Sequence, residues 1–502
     1  MCSLSACHEN HFNPNANLSK GNFSSLAVDE FRMSSRRITE NIGRLIVNDN
    51  DTMLPDYYTR SYYLSKGTLL WVNRKGVTNQ ADSLLEYLKR VDEIGFSPSR
   101  FYANEIESDL LKFKSLDFNV GDDINFLIAR LDYNLTKAYL RYVIGQRYGF
   151  INPMKVFNKL DVDENDTTQQ KFRQLYDIYT EHISKKKCAY LLSKIVSDSV
   201  CYILKESESQ NPMYKKLKSI LPKVKRIDRM KVLVNMERSR WRHDSYPYEY
   251  DKYVMVNIPS YGLIAVDGDD RMSMKVVCGS DKTKTPLLYS SITRMDINPK
   301  WVVPISIVKN ELSKHAGDKS YFERNNYLIV DRSTGKKVSP AYVTYDNLKS
   351  GGYSVIQTGG EGNSLGRIIF RFNNNFSIYL HDTSSRSTFD LVDRSASHGC
   401  IRVQKPYELA QFLLKGKDNE LLDKIKYSMN IRTKNNDGID KDVNNIYIDK
   451  SRIINSVNVK PQIPIFITYY TMCVLPDGNL ENYSDVYGYD EVISKRIKDY
   501  IK

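Results

Sequence analysis

The chain has 502 residues, 41% of them hydrophobic and 26% charged, which is longer than one ordinary domain and apolar enough for packed cores. No run approaches the roughly 20 consecutive apolar residues of a bilayer-crossing helix, so a membrane-embedded fold and a largely disordered chain are both excluded. The 73 basic residues against 60 acidic ones leave a net charge of +13. That suits an anionic partner such as a carboxylate-rich polymer. The lysines are scattered, however, and no nucleic-acid module is present, so a solvated basic surface is preferred over a nucleic-acid partner.

Leu4-Ser5-Ala6-Cys7 resembles the lipobox of bacterial lipoproteins, in which the cysteine becomes lipidated. The residues before Cys7 are too few for the charged and apolar parts of a signal peptide, so either the true start lies upstream or the match is chance. Residues 8–35 are polar, rich in Asn and Ser, and read as a linker. A helix follows Thr78 or Asn79, with Leu84, Leu85, Leu88 and Val91 on one face and Gly95 as a left-handed stop. A second helix is expected from about Asp122 to Arg147, with Leu127, Leu131, Leu135, Ala138 and Tyr142 aligned and Gly149 and Pro153 ending it. Further helical patterns occupy 167–222, so residues 36–225 read as a helical domain.

At Lys231 the period changes to two: KVLVNMERSRW alternates, as does Tyr253 to Ile258. Asp267-Gly268-Asp269-Asp270 then predicts a hairpin turn into Met272–Val276. More strands are expected near 292–297, 326–331, 353–357 and 367–380, with Phe376–Leu380 closing on His381. Residues 305–350 read as a helical, charged insertion long enough to cap a site. A helix from Gln404 to Leu414, a polar stretch from Lys434 to Asn445, strand character in PIFITYYTMCVL and a helix from about Asp490 complete the chain. The fold class is therefore α+β, with the helical domain followed by a mainly β catalytic domain over 226–502.

The seven cysteines form no CxxC pair and no zinc-like spacing, which argues against a disulfide framework. Cys278 and Cys473 lie in apolar runs and read as buried thiols. Cys400 is different, because it stands in Ser397-His398-Gly399-Cys400-Ile401-Arg402. A thiol with a pKa of about 8.5 is only slightly ionised at neutral pH, so a nucleophilic cysteine needs an imidazole in reach. That imidazole in turn needs an acceptor on its other nitrogen. His398 is two positions upstream, on the same face if the segment is extended, and His381 ends a preceding strand. Gly399 permits a tight backbone with amides free to hold an oxyanion. A metal site has two histidines and one cysteine to draw on and no second cysteine, so it is the weaker reading; no metal or cofactor is expected.

His381, a fifteen-residue spacer, then Ser-His-Gly-Cys-Ile-Arg resembles the motif of the L,D-transpeptidases. The resemblance extends to NMERSRW (235–241), VNIPSYGL (256–263), Gly279–Pro286, NPKWVVP (298–304), EGNSLGRIIF (361–370) and IYLHDTSSRSTF (378–389). It also takes in the helical region from Tyr57 to Asn152, which looks like the scaffold domain of the large periplasmic members. The resemblance implies that Cys400 attacks a diaminopimelate-type tetrapeptide stem of peptidoglycan, releasing D-alanine and leaving a thioester. A second stem's amine would resolve it into a 3–3 crosslink, with His381 as base and then acid. Asp382 matches the position whose backbone carbonyl orients the imidazole.

Several roles stay open at this level. His398 either shapes the oxyanion pocket or supports the loop, Arg402 either clamps a stem carboxylate or braces the loop, and Tyr379 lines the site. Met213–Lys223 runs almost directly into KVLVNMERSRW, which leaves no room for a separate peptidoglycan-binding module. A carboxypeptidase or endopeptidase using the same acyl-enzyme, and a non-catalytic wall scaffold, are the alternatives. The expected setting is the periplasmic cell envelope, with a membrane tether if Cys7 is lipidated.

Overall fold

Asp123 caps the long helix Ile124–Tyr148, its carboxylate accepting the amides of Asn125 and Phe126; a cap of this kind contributes about 1 kcal/mol. The computed structural model describes residues 33–501, apart from 66, 74, 119–122, 163–171, 417–418, 435–437, 443–447 and 475–478. Cys7 and most of the expected linker therefore lie outside the described residues, as does part of Lys434–Asn445. Most of the side chains of Ile124–Tyr148 are buried, and the helices Ser35–Asn48, Leu54–Leu64, Gln80–Lys89 and Ala103–Ser115 pack around it. Several of its buried charged groups are paired. Asp132 accepts the amides of Leu70, Trp71 and Val72 at 2.8–3.2 Å, Lys137 meets Asp49 and Asp51 at 2.7 Å, and Arg141 meets Asp56 at 2.7 Å. Gln80–Lys89 gives way to a 3-10 turn at Val91–Ile94, closed by Gly95 at φ 89°.

KVLVNMERSRW is helix, not strand: Arg226–Arg238 forms an α-helix. Every residue from Val232 to Arg238 is buried. With no solvent face to reveal the 3.6-residue period, the chance alternation of side chains misleads. The helix joins the two halves of the molecule. Asn235 hydrogen-bonds Thr471 in both directions at 2.8 and 3.2 Å, and Arg238 pairs with Asp490 at 2.6 Å. Glu237 accepts the amide of Ile151 at 3.0 Å.

The C-terminal half is built on strands β1 (Tyr176–Asp177), β2 (Lys252–Asn257), β3 (Gly262–Asp267), β4 (Asp270–Gly279), β5 (Leu287–Ile297), β6 (Ile368–Phe372), β7 (Leu380–His381), β8 (Ser395–Ser397), β9 (Ile401–Val403) and β10 (Ser456–Thr468). The order β6-β7-β9-β4-β3-β2-β10-β5 returns to β6, closing eight strands into a barrel, with β1 beside β5 and β8 beside β4. The expected Asp267–Asp270 hairpin joins β3 to β4. Val254, Val256, Leu263, Ala265, Met274, Val276, Leu380 and Ile401 fill the interior. By strand alternation, their neighbours face outward. The expected strand at Phe376–Leu380 shrinks to Leu380–His381, because Asn374 bonds the amide of Phe376 and the carbonyl of Ile378 and Ser377 turns at φ 54°.

The insertion is more than helical. Short helices at Ile305–Asn310, Lys319–Arg324 and Tyr345–Ser350 accompany a four-stranded sheet in which Tyr327–Asp331 and Tyr353–Gln357 are central. Val303, Val308, Phe322, Ile329, Leu348 and Val355 form a core separate from that of the rest. Among the described residues no helix is long and apolar enough to cross a membrane.

Candidate active site

Parallel pairing of β7 with β9 sets Leu380 against Ile401 and His381 against Arg402. Leu380 and Ile401 point into the barrel and are wholly buried. Tyr379, His381, Cys400 and Arg402 therefore share the opposite face of two adjacent strands, and Ile401 N–H donates to Tyr379 O at 3.1 Å. The two histidines separate. His381 joins this group; His398, across a bend, turns away and places Nε2 2.7 Å from Glu311 Oε1 of the insertion. The extended segment expected through His398 does not form, because Gly399 sits at φ 112°, in the left-handed region that favours glycine.

His381 is buried and its Nδ1 lies 2.5 Å from the carbonyl of Asp382. A carbonyl can only accept, so Nδ1 carries a proton and Nε2 is the basic nitrogen of the neutral ring. Burial, reinforced by the charge of Arg402, lowers the imidazole to about 4. The Asp382 carboxylate serves the backbone, accepting Arg367 N–H at 2.8 Å.

Cys400 is half-buried at the end of a loop held by side chains. Ser397 Oγ donates to the carbonyl of Cys400 at 2.6 Å and accepts the amide of Gly399 at 3.2 Å. Gly399 thus has its N–H engaged rather than free for an oxyanion, whereas the Cys400 amide has no partner among the described residues. Burial pushes the thiol up to about 11, opposed by hydrogen bonding to Tyr379 and the charges of Arg402 and Arg371. Both groups are therefore neutral at rest. The Tyr379 ring stands edge-on to His381 at 5.9 Å and carries the Arg371 guanidinium over its face at 5.4 Å. Arg402 Nε is buried without a hydrogen-bond partner among the described residues.

Sequence reasoning left the props of this loop without roles. Thr283 Oγ1 donates to the carbonyl of Ser397 at 2.8 Å, and Thr285 Oγ1 to that of Gly399 at 2.8 Å. Only the threonine-bearing run Gly279–Pro286 hinted at them. Glu311, from the insertion, had no signal at all.

Residues 251–425 match the family model of the L,D-transpeptidase catalytic domain, and residues 56–221 that of the Scaffold domain. A Haemophilus influenzae protein named "Putative L,D-transpeptidase" is 29% identical over 311 residues, which cover 60% of this chain and 58% of that relative's length. Two adjoining domain matches, in the order helical then β, agree with the architecture. The chain thus carries an L,D-transpeptidase catalytic domain with a Scaffold domain ahead of it.

Proposed function

We propose that this chain forms 3–3 crosslinks between peptidoglycan stem peptides through a Cys400 thioester. The observation that carries the reading is a braced Cys400 immediately before β9, beside the strand β7 that ends on His381, with the imidazole fixed by Asp382 O. Nε2 of His381 takes the thiol proton as sulfur adds to the carbonyl of the diaminopimelate L-centre in a tetrapeptide stem. The Cys400 amide supports the oxyanion. On collapse the C–N bond breaks, and D-alanine leaves with the proton returned by His381. The side-chain amine of a second stem then attacks the thioester, losing its proton to His381, and the thiol is restored. Arg402 clamps a stem carboxylate: an orphaned buried donor costs roughly 1–3 kcal/mol, which a bound carboxylate would offset.

Intact mass after exposure to a carbapenem tests the nucleophile; one stable adduct is expected on the wild type and none on Cys400→Ala. Muropeptide analysis tests the acceptor. Dimers with 3–3 links support the transferase, and tripeptide monomers alone make the protein a hydrolase on the same acyl-enzyme. Full biological function in Cys400→Ala would leave a wall scaffold. A stem-peptide substrate places the protein in the periplasmic envelope, and Cys7, if lipidated, tethers it. A lipid-mass increment lost in Cys7→Ser, on protein from a native host, checks the tether.

A further inference from the structure

Register lines Cys400, Tyr379, Arg371 and Arg294 into one row across the outer face of the barrel. Leu380 pairs with Phe370 on one side and Ile401 on the other. One step back along the chain, Tyr379 therefore stands between Arg371 and Cys400, and Arg371 pairs in turn with Arg294 of β5. Phe370 and Phe372 are buried in the barrel interior. Alternation turns Arg371, between them, to the same outer face as Cys400. Two strand spacings of about 4.8 Å put it roughly 10 Å from Cys400 along the row.

Arg371 is held at one end and open at the other. Its Nε donates to Asp296 and its guanidinium lies over the ring of Tyr379. Its two terminal nitrogens have no hydrogen-bond partner among the described residues, and the side chain is 40% exposed. Asp296 also pairs with Arg294, at 2.8 Å. One carboxylate thus answers two guanidiniums, and neither has another acidic partner among the described residues. The row keeps a positive charge close to the thiol. An arginine fixed at Nε, with its planar fork free, is suited to end-on pairing with a carboxylate.

We infer that Arg371 selects the donor stem by binding the carboxylate at the far end of its diaminopimelate side chain, an inference that rests on the proposed Cys400 acyl-enzyme. Six bonds of about 1.5 Å separate that carboxylate from the carbonyl that sulfur attacks, an extended span of roughly 7–8 Å. With the guanidinium over Tyr379, which adjoins Cys400, that span bridges the row from thiol to fork. The acceptor's equivalent carboxylate is on the carbon that bears the attacking amine. It is only three bonds from the carbon under attack, too near the sulfur to meet Arg371. A lysine-type donor has the same amine and no such carboxylate, so it leaves the fork empty.

The test compares release of D-alanine from two tetrapeptide stems, one with diaminopimelate and one with lysine at the third position, by wild type, Arg371→Gln and Arg294→Gln. The wild type should favour the diaminopimelate stem about tenfold or more in kcat/KM, because a group placed to bind a polar partner discriminates against the analogue that lacks it. Arg371→Gln should bring that ratio close to one, and Arg294→Gln should keep it. A ratio that survives in Arg371→Gln, including an equal fall on both stems, overturns the inference alone. So does a wild type that takes both stems equally, a comparison that depends on no variant folding. An equal collapse in Arg294→Gln overturns it too, since the charge of the row and not the fork of Arg371 would then select. A wild type that releases D-alanine from neither stem overturns the acyl-enzyme reading, and this inference with it.

Discussion

At the residue scale the proposed chemistry depends on two groups pushed apart by burial: His381 down to about 4 and Cys400 up to about 11. With the proposed pair resting as neutral thiol and neutral imidazole, the rate of carbapenem acylation should rise as His381 deprotonates near pH 4 and level off above. An acid limb near the ordinary imidazole value of about 6.5 would contradict this. Arg402→Gln removes the positive charge that helps depress His381, so its acid limb should move to higher pH. Ser397→Ala deletes both bonds that hold the Gly399–Cys400 turn. At about 1–3 kcal/mol for the groups left unpaired, acylation should slow roughly 10- to 100-fold while the fold persists by circular dichroism. That His381 and Cys400 stand on adjoining strand segments was legible because motif spacing is local. Thr283, Thr285 and Glu311 were not, since each reaches the loop from about a hundred positions away and only strand register and the placing of the insertion bring them there.

At the element scale the legible parts are those with one solvent face. The stripe of Leu84, Leu85 and Leu88 and the hairpin at Gly268 both formed as the pattern required. Val232–Arg238 hid its period by being buried on all sides, and the strands of the insertion at 301–302 and 337–338 are too short to have one. The insertion touches the catalytic loop through Glu311 and His398, both about half exposed. Such a contact between half-exposed side chains is worth about 0.2–1 kcal/mol. Glu311→Gln should therefore speed amide exchange in the insertion no more than a few-fold. A larger acceleration would mean that the contact holds the insertion in place by more than one exposed pair.

At the scale of the whole molecule, the helical region and the barrel share one core. The Val232–Arg238 half of the linking helix is buried, and the last helix, Tyr489–Ile501, returns from the barrel to the helical region. There Ser97 N–H donates to the carbonyl of Tyr500 at 2.9 Å, and the Tyr500 ring packs on Phe96, Phe101 and Phe150 at 4.4–6.0 Å. No composition shift marks this return, so the sequence suggested two independent units where packing makes one. Two consequences can be measured together. The wild type should unfold in a single calorimetric transition, because neither half keeps its core when the other melts. Tyr500→Ala, which empties an aromatic site 4% exposed, should cost about 3–5 kcal/mol and lower that one transition without splitting it. The thermal loss of carbapenem acylation, though Cys400 belongs to the barrel, should follow the same midpoint. If calorimetry resolves two transitions, and Tyr500→Ala lowers only the one that leaves acylation intact, the halves are coupled by contact and not by a common core.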